Sequence, residues 1–171
     1  MPKSKYQKVW IGIDPGKSGG LACIVEGEGI RAEPMPSTEF KIAQWIRMLT
    51  EDWNVLDIQS CRIEKIHAMP GQGVTSMFSF GQNYGFLRGC LFSSGVSFEE
   101  VTPRTWQKEF GIQPRDKKKK ETKNQFKNRL LAKCQQLFPN YDLWKEPRSK
   151  GKQLAVCDAI LIAEYCRRVS K

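Results

Sequence analysis

The segment from Trp10 to Ala22 constrains the fold more than any other part of the chain. It contains an apolar run, Trp10-Ile-Gly-Ile, that ends on the carboxylate of Asp14 and is followed by Pro-Gly-Lys-Ser-Gly-Gly. A second apolar run begins at Leu21, so the pattern predicts two antiparallel strands joined by a short turn. Aspartate is depleted in strands and is seldom buried without a partner. Asp14 therefore either opens an ordinary Asp-Pro-Gly turn or is a metal ligand fixed at the end of a central strand.

The remaining apolar patterns predict an α/β protein. The predicted strands cover residues 8–14, 20–26, 30–35, 61–66 and 96–101, and the predicted helices cover residues 38–51, 74–90, 103–110, 122–138 and 153–168. Ser37 is the expected N-cap of the first helix, because its hydroxyl can accept a hydrogen bond from the first turn. An antiparallel start followed by alternating strands and helices favours a mixed sheet with helices on both faces. We expect residues 1–171 to form one domain.

The chain carries a large excess of positive charge. It contains 28 Lys and Arg residues against 18 Asp and Glu residues, a net charge of +10. A surface this basic favours a polyanion such as nucleic acid, which binds through phosphate contacts and counterion release. An ordinary solvated surface is the alternative. The candidate phosphate-binding residues of this region are Lys108, Arg115, Lys117, Lys118, Lys119, Lys120, Lys123 and Lys127.

The cysteines and the single histidine argue against a zinc site. The six cysteines are scattered without a Cys-x-x-Cys pair, and His67 is the one histidine. Several cysteines lie in apolar patterns, where a free thiol behaves as a small hydrophobic group, so we expect a reducing compartment. No signal-peptide pattern and no apolar run long enough to cross a bilayer is present in the sequence. We therefore expect a soluble cytoplasmic protein.

Three acidic residues occupy positions where a carboxylate is costly. Asp14 ends the first strand, Glu64 interrupts the apolar fourth strand, and Asp158 lies inside the most apolar helix. Converging carboxylates repel one another unless cations hold them, and their hard oxygen atoms suit Mg²⁺ or Mn²⁺. Two such ions about 4 Å apart promote phosphodiester hydrolysis. Alternatively, Asp158 forms an ordinary buried ion pair and Glu64 points to solvent.

Three motifs in order resemble the RuvC-type Holliday junction resolvases of the RNase H-like superfamily. They are Ile11-Gly-Ile-Asp14-Pro-Gly, Ile63-Glu64-Lys-Ile66 and Cys157-Asp158-Ala159-Ile-Leu-Ile-Ala163. The segment Val101-Thr-Pro-Arg-Thr-Trp106 is most similar to the bacteriophage and chloroplast branches. The resemblance implies a five-stranded sheet in the order 3-2-1-4-5. It also implies that Asp14, Glu64 and Asp158 are catalytic and hold two Mg²⁺ or Mn²⁺ ions per active site.

The resemblance further implies a substrate and an assembly. The substrate is a four-way DNA junction resolved by paired nicks, and its two-fold symmetry calls for a homodimer. The helix over 74–90 has glycines every four residues and is the candidate seam, although the same glycines suit close packing within one chain. Lys17 and Ser18 are expected beside the scissile phosphate. His67 either stacks on a base at the junction centre or is an ordinary residue at a strand end.

One position departs from the family pattern. Bacterial members have an Asp or His three residues before the final catalytic Asp, and Ala155 stands there in this chain. The missing ligand puts the strength of the second metal site and the cleavage activity in doubt. Two other functions therefore stay open. One is a nuclease of the same superfamily acting on other branched DNA or on RNA–DNA hybrids, and the other is a junction-binding protein with impaired cleavage.

Overall fold

The computed structural model describes residues 6–51, 56–67, 73–116, 118–143 and 154–170. Within these ranges the strands are β1 (Gln7–Asp14), β2 (Gly20–Val25), β3 (Gly29–Pro34), β4 (Leu56–Glu64) and β5 (Glu99–Val101). The helices are α1 (Glu39–Glu51), α2 (Val74–Ser93), α3 (Pro103–Glu109), α4 (Lys123–Leu137) and α5 (Leu154–Val169). Each element expected from the sequence is present.

The strands form one mixed sheet with β1 at its centre. The strand order is β3-β2-β1-β4-β5. β2 pairs antiparallel with β1 and with β3, whereas β4 pairs parallel with β1 and with β5. The α/β class and the sheet order implied by the family resemblance are therefore confirmed.

The sheet separates two apolar layers. Alternate side chains of β1 point to opposite faces, as strand geometry requires. Val9, Ile11 and Ile13 join a buried cluster with residues of α1 and α2. Trp10 joins a second cluster with residues of α4 and α5. By the same alternation, Asp14 lies on the face covered by α5.

Gly12 allows α5 to lie directly on β1. A Cβ atom at this position would stand 2.2 Å from the backbone oxygen of Ala159 and 2.2 Å from the backbone nitrogen of Ala163. No side chain fits in that space unless the helix moves. At the level of Asp14, the paired residue Gly20 faces the start of α5, where its Cβ would stand 3.0 Å from the backbone oxygen of Ala155. The beginning of α5 therefore lies at the carboxyl end of β1.

Two strands differ in length from the sequence expectation. β4 begins at Leu56, five residues before the predicted start at Cys61. Its first half alternates between more and less exposed side chains, so it lacks the continuous apolar run that marks a buried strand. β5 covers only Glu99–Val101, where it pairs with the end of β4.

Thr38 rather than Ser37 caps α1. The helix begins at Glu39, and the Thr38 hydroxyl oxygen accepts a hydrogen bond of 3.3 Å from the backbone N–H of Lys41. The prediction of Ser37 as the cap is therefore wrong by one residue. Both residues are good caps, so composition alone does not choose between them.

α2 is exposed along most of its surface. Its buried side chains are Leu87 and Leu91. A Cβ atom at Gly81, Gly85 or Gly89 would meet no other atom within 4 Å in the described part of the chain. The glycines therefore do not serve close packing within these residues. The same described ranges contain no helix that is long and apolar enough to cross a membrane.

Candidate active site

Asp14 and Glu64 lie side by side at one edge of the sheet. Each is the last residue of its strand, and the preceding residues Ile13 and Ile63 are paired across the parallel β1–β4 ladder. Because the carboxyl ends of parallel strands meet at the same edge, the two acidic side chains end there together. Both side chains are partly buried.

Asp158 reaches the same edge from above the sheet. It lies in the second turn of α5 and is 7% exposed. α5 lies directly on β1 at Gly12. The helix residues at this contact, Ala159 and Ala163, follow Asp158 along α5. The electrostatic interaction of Asp14 with Asp158, and of Glu64 with both aspartates, places the three acids in one cluster. We call Asp14, Glu64 and Asp158 the carboxylate cluster.

Each member of the carboxylate cluster has its own partner. The Lys127 amine on α4 donates a hydrogen bond to Oδ2 of Asp158 and forms an ion pair with it. The Trp106 indole Nε1 donates to Oε2 of Glu64 at 2.8 Å. Oδ1 of Asp14 accepts a longer bond of 3.4 Å from the backbone N–H of Gly16. Lys127 therefore supplies the positive charge that accompanies the cluster in this structure.

The pKa values of all three acids are raised. Burial raises the pKa of Asp14 to about 6, and the neighbouring Asp158 charge adds to the rise. Burial raises the pKa of Glu64 to about 8, and repulsion from Asp14 adds to it, while the bond from Trp106 opposes it. Burial also raises the pKa of Asp158 against the opposing effect of Lys127. The cluster therefore holds protons more tightly than exposed acids do.

Burial and charge act in opposite directions on Lys127. Loss of hydration alone would lower the pKa of this amine, but the negative charges of Asp158, Asp14 and Glu64 outweigh that effect and raise it. The amine is therefore a cation at neutral pH. Asp158 is accordingly in a buried ion pair, as one alternative foresaw, but that pair lies within the carboxylate cluster and not apart from it.

The donor set of the carboxylate cluster suits a hard divalent cation. Carboxylate oxygens are the ligands that Mg²⁺ and Mn²⁺ prefer. Oδ1 of Asp158 is buried and has no hydrogen-bond partner among the described residues, so it is available to a cation. In the part of the chain that the structure describes, no three acidic, histidine or cysteine groups are drawn together tightly enough to enclose a metal ion. Binding of a cation by all three acids would therefore require a rearrangement of their side chains from the positions they have beside Lys127.

Ala155 faces the cluster without adding a ligand. It lies one helical turn before Asp158 and therefore on the same face of α5. Glu164, the other buried acid of α5, is held by Arg167 at 2.7 Å and by Arg168 at 3.0 Å. It belongs to the far end of the helix. Neither residue supplies a fourth carboxylate to the cluster.

The residues predicted to contact DNA occupy several positions. Lys17 and Ser18 are exposed in the turn after Asp14, and His67 is exposed just after β4. Lys108 is exposed at the end of α3, and Lys123 is exposed at the start of α4. Lys117 lies outside the described residues. Their contacts with DNA stay predictions.

The turn that carries Lys118, Lys119 and Lys120 is held by its flanking acids. The backbone N–H of Lys119 donates to Oδ1 of Asp116 at 3.1 Å, and the backbone N–H of Asp116 donates to Oε2 of Glu121 at 2.8 Å. Arg129 on α4 binds Glu121 through two bonds of 2.8 and 3.0 Å. The three exposed lysines therefore project from an ordered turn. Arg115 beside it is partly buried.

The sequence did not predict the partners of the carboxylate cluster. The sequence places Lys127 on a candidate phosphate-binding helix face and does not indicate its contact with Asp158. In the sequence Trp106 is only the last residue of a motif, but in the structure it is fully buried and needs an acceptor for its indole N–H. No sequence pattern marks Asn83 on α2, but its side-chain amide donates a hydrogen bond to the backbone oxygen of Pro15. That bond ties α2 to the turn that follows Asp14.

A five-stranded mixed sheet in the order β3-β2-β1-β4-β5 with helices on both faces is the RNase H-like α/β fold. A solved structure of Thermus thermophilus RuvC bound to a Holliday junction substrate matches with a TM-score of 0.56 and 15% identity, over 96% of this chain and 98% of that chain. A second structure of T. thermophilus RuvC matches with a TM-score of 0.54 and 17% identity, over 94% and 95%. No family model and no curated protein matches the sequence. The chain thus shares the RuvC fold.

Proposed function

We propose that the chain is a metal-dependent endonuclease that resolves four-way DNA junctions by paired nicks. The observation that carries the proposal is the gathering of three carboxylates from β1, β4 and α5 around one lysine amine. The fold adds support, because the T. thermophilus RuvC that shares it is bound to a Holliday junction substrate. The net charge of +10 agrees with a phosphate-rich partner.

The residues of the carboxylate cluster would hold Mg²⁺ or Mn²⁺, two ions per active site. When bound, such ions supply the Lewis-acid chemistry of phosphodiester hydrolysis. Asp14 and Glu64 are fixed by their strands, and Trp106 orients one oxygen of Glu64. The raised pKa values mean that a cation must displace protons from the cluster, so metal binding should strengthen as pH rises. Lys127 lowers the charge of the centre when no metal is bound.

Two kinds of surface support this proposal: basic residues that can bind phosphates, and an exposed helix face that can pair two copies of the chain. Lys17 and Ser18 lie beside Asp14, and the ordered turn with Lys118, Lys119 and Lys120 adds positive charge near α4. A homodimer would place two carboxylate clusters on one junction. Its proposed seam is α2, where the glycine face is open and Phe78 and Phe92 are 66% and 84% exposed. A cytoplasmic location also stays part of this proposal.

The test is a cleavage assay with a synthetic four-way junction, a linear duplex and an RNA–DNA hybrid, each with Mg²⁺ or Mn²⁺. We expect paired nicks in the junction and little cutting of the other two substrates. Asp14→Asn, Glu64→Gln and Asp158→Asn should each lower the rate by at least about 100-fold. Even residues that only orient metal ligands can contribute up to that factor.

Asp57→Asn is the matched control for the acid variants. Asp57 lies on β4, the strand of Glu64, but near its opposite end, where it is exposed. This variant should cut the junction at the wild-type rate. Retained cleavage in all three variants of the carboxylate cluster would remove the proposed site. Preferential cutting of the hybrid would replace the junction with that substrate.

A second candidate function is junction binding without cleavage. The ion pair between Lys127 and Asp158, together with the missing ligand at Ala155, favours it. In that case the wild-type protein binds the junction but leaves no nicks with either metal. A wild-type protein that nicks the junction excludes this candidate.

A further inference from the structure

A cavity lies between the turn that follows Asp14 and the start of α2. Its volume is about 360 Å³, and it is lined by Lys17, Thr75, Ser76, Ser79 and Phe80. Lys17 belongs to the turn after Asp14, and the other four residues belong to the first two turns of α2. The cavity therefore lies between two elements that are far apart in sequence. We call it the Lys17 cavity.

The polar groups of the Lys17 cavity are unoccupied within the described residues. Neither the Lys17 amine nor the hydroxyls of Thr75, Ser76 and Ser79 make a hydrogen bond or an ion pair with another described residue. All of these groups can donate hydrogen bonds, and one of them carries a positive charge. Three other cavities among the described residues each include a carboxylate in their lining: Asp57 and Glu99, Glu28, or Asp116 and Glu121. The Lys17 cavity has none, which favours an anion.

Two contacts join this cavity to the carboxylate cluster. A Cβ atom built on Gly16 would lie 3.7 Å from Cε2 of Phe80 and 3.9 Å from Oδ1 of Asp14. The aromatic ring and the carboxylate thus flank the same glycine. The bond from Asn83 to the backbone oxygen of Pro15 holds α2 against this turn. The cavity therefore adjoins the carboxylate cluster across Gly16.

We propose that the Lys17 cavity binds one nucleotide unit of the DNA strand that enters the active site. Lys17, Ser76 and Ser79 bind its phosphate, and the face of Phe80 stacks on its base. Aromatic stacking accepts any base, while hydroxyl and lysine donors recognise the backbone. The site therefore positions the strand without reading its sequence. This inference rests on the proposed function, because it extends the same active site.

The test measures binding of a four-way junction with metal chelated, so that no strand is cut. The variants are Lys17→Gln, Phe80→Leu and the double variant S76A/S79A. The controls are Lys8→Gln, at the opposite end of β1, and Ser97→Ala, which lies outside the cavity. A thermal melt of each variant checks that it is folded. A junction that carries 5-iododeoxyuridine beside the branch point reports photo-cross-links to the Phe80 peptide.

The three variants should differ in a defined way. Lys17→Gln should reduce affinity and lower the salt slope by about 0.9, the value for one lost phosphate contact. The double serine variant should reduce affinity without changing the slope, because hydroxyls release no counterion. Phe80→Leu should reduce affinity by about 5- to 150-fold and abolish the cross-link, as expected for the loss of one stacked base. Both controls should bind as the wild type does.

Wild-type affinity, slope and cross-linking in all three variants would overturn the proposal. The same variants measured on a single-stranded oligonucleotide separate this failure from failure of the proposed function. A wild-type protein that ignores the junction but binds the oligonucleotide through these residues would refute junction resolution and support the nucleotide site. A wild-type protein that cuts junctions while the variants behave normally would refute the nucleotide site alone.

Discussion

α5 and α2 cover opposite faces of the same sheet but differ in how completely this chain buries them. Ten of the sixteen residues of α5 are buried, including Asp158 and Glu164. In α2 two of twenty residues are buried, and a Cβ atom at Gly81, Gly85 or Gly89 would meet nothing within 4 Å in the neighbouring described elements. Both helices are rich in apolar residues. α5 therefore has a partner surface in the described chain along most of its length, whereas most of α2 does not.

The side chains of α5 are therefore mostly enclosed by this chain, whereas many side chains of α2 remain accessible. The α5 face contains the carboxylate cluster, in which Asp158 pairs with Lys127 while its buried Oδ1 has no hydrogen-bond partner among the described residues. The α2 face exposes Phe78, Phe92 and three glycines, and its first turns line the Lys17 cavity. Substitutions that crowd α5 or remove the cation beside it should therefore reduce stability, whereas small substitutions on the glycine face of α2 should not.

Gly12→Ala should produce the largest loss of stability. The added methyl group would lie 2.2 Å from backbone atoms of α5, so the helix must move away from β1. We expect the free energy of unfolding to fall by more than about 4 kcal/mol, or the protein to be insoluble. Urea unfolding measures the change. A variant as stable as the wild type would mean that α5 does not lie on β1 at this distance.

Lys127→Met should reduce stability by a smaller amount that depends on pH. The substitution leaves Asp158 without its cation in a buried position. We expect a loss of about 1–2 kcal/mol near pH 8, less than for a fully buried pair because the lysine side chain is 37% exposed. The loss should shrink near pH 5, where Asp158 is protonated more readily. Saturating Mg²⁺ should restore part of the stability.

Lys133→Met provides the control for this variant. Lys133 lies on the same helix, and its amine donates to Gln136. Its replacement should change stability little and show no dependence on Mg²⁺. Equal effects of the two variants would mean that the lysine at 127 does not compensate the charge of the cluster.

Without divalent metal, stability should fall as pH rises from about 5 to about 9. The pKa of Asp14 is about 6 and that of Glu64 is about 8, both above their ordinary values. The folded state therefore binds more protons than the unfolded state in this range, and the free energy of unfolding decreases with pH. Saturating Mg²⁺ should stabilise the protein more at pH 8 than at pH 5, because a cation replaces the protons.

Thermal melts with and without EDTA measure this dependence. Glu64→Gln is the informative variant, because it cannot lose a proton at this position. Its melting temperature should fall less steeply with pH than that of the wild type. Parallel pH profiles of the two proteins would contradict the raised pKa of Glu64.

Gly85→Ala on α2 should have the smallest effect on stability, of opposite sign. Nothing lies within 4 Å of the added methyl group in the described chain, and alanine favours a helix by about 0.5–1 kcal/mol over glycine. The melting temperature should rise by a few degrees. Sedimentation of the same variant should show weaker self-association if α2 is the dimer seam. A lower melting temperature of the monomer would mean that this chain packs on the glycine face.

Isolated acids in apolar runs were the most informative part of the sequence. Asp14, Glu64 and Asp158 stand out because burial makes a carboxylate costly, and the structure brings them into one cluster. Lys127 did not stand out, because a lysine on the polar side of a helix is usually solvated. Its contact with Asp158 depends on how α4 crosses α5, which no local pattern specifies. The first half of β4 was not predicted, because its side chains alternate between more and less exposed positions and form no continuous apolar run.

The proposed function requires the carboxylate cluster to bind divalent cations. Titration of the protein with Mn²⁺, followed by electron paramagnetic resonance at about pH 8, tests it directly. We predict saturable binding in the wild type and in Asp57→Asn, and loss of that binding in Asp14→Asn and Asp158→Asn. Equal Mn²⁺ binding in the wild type and in both variants of the cluster would contradict the claim.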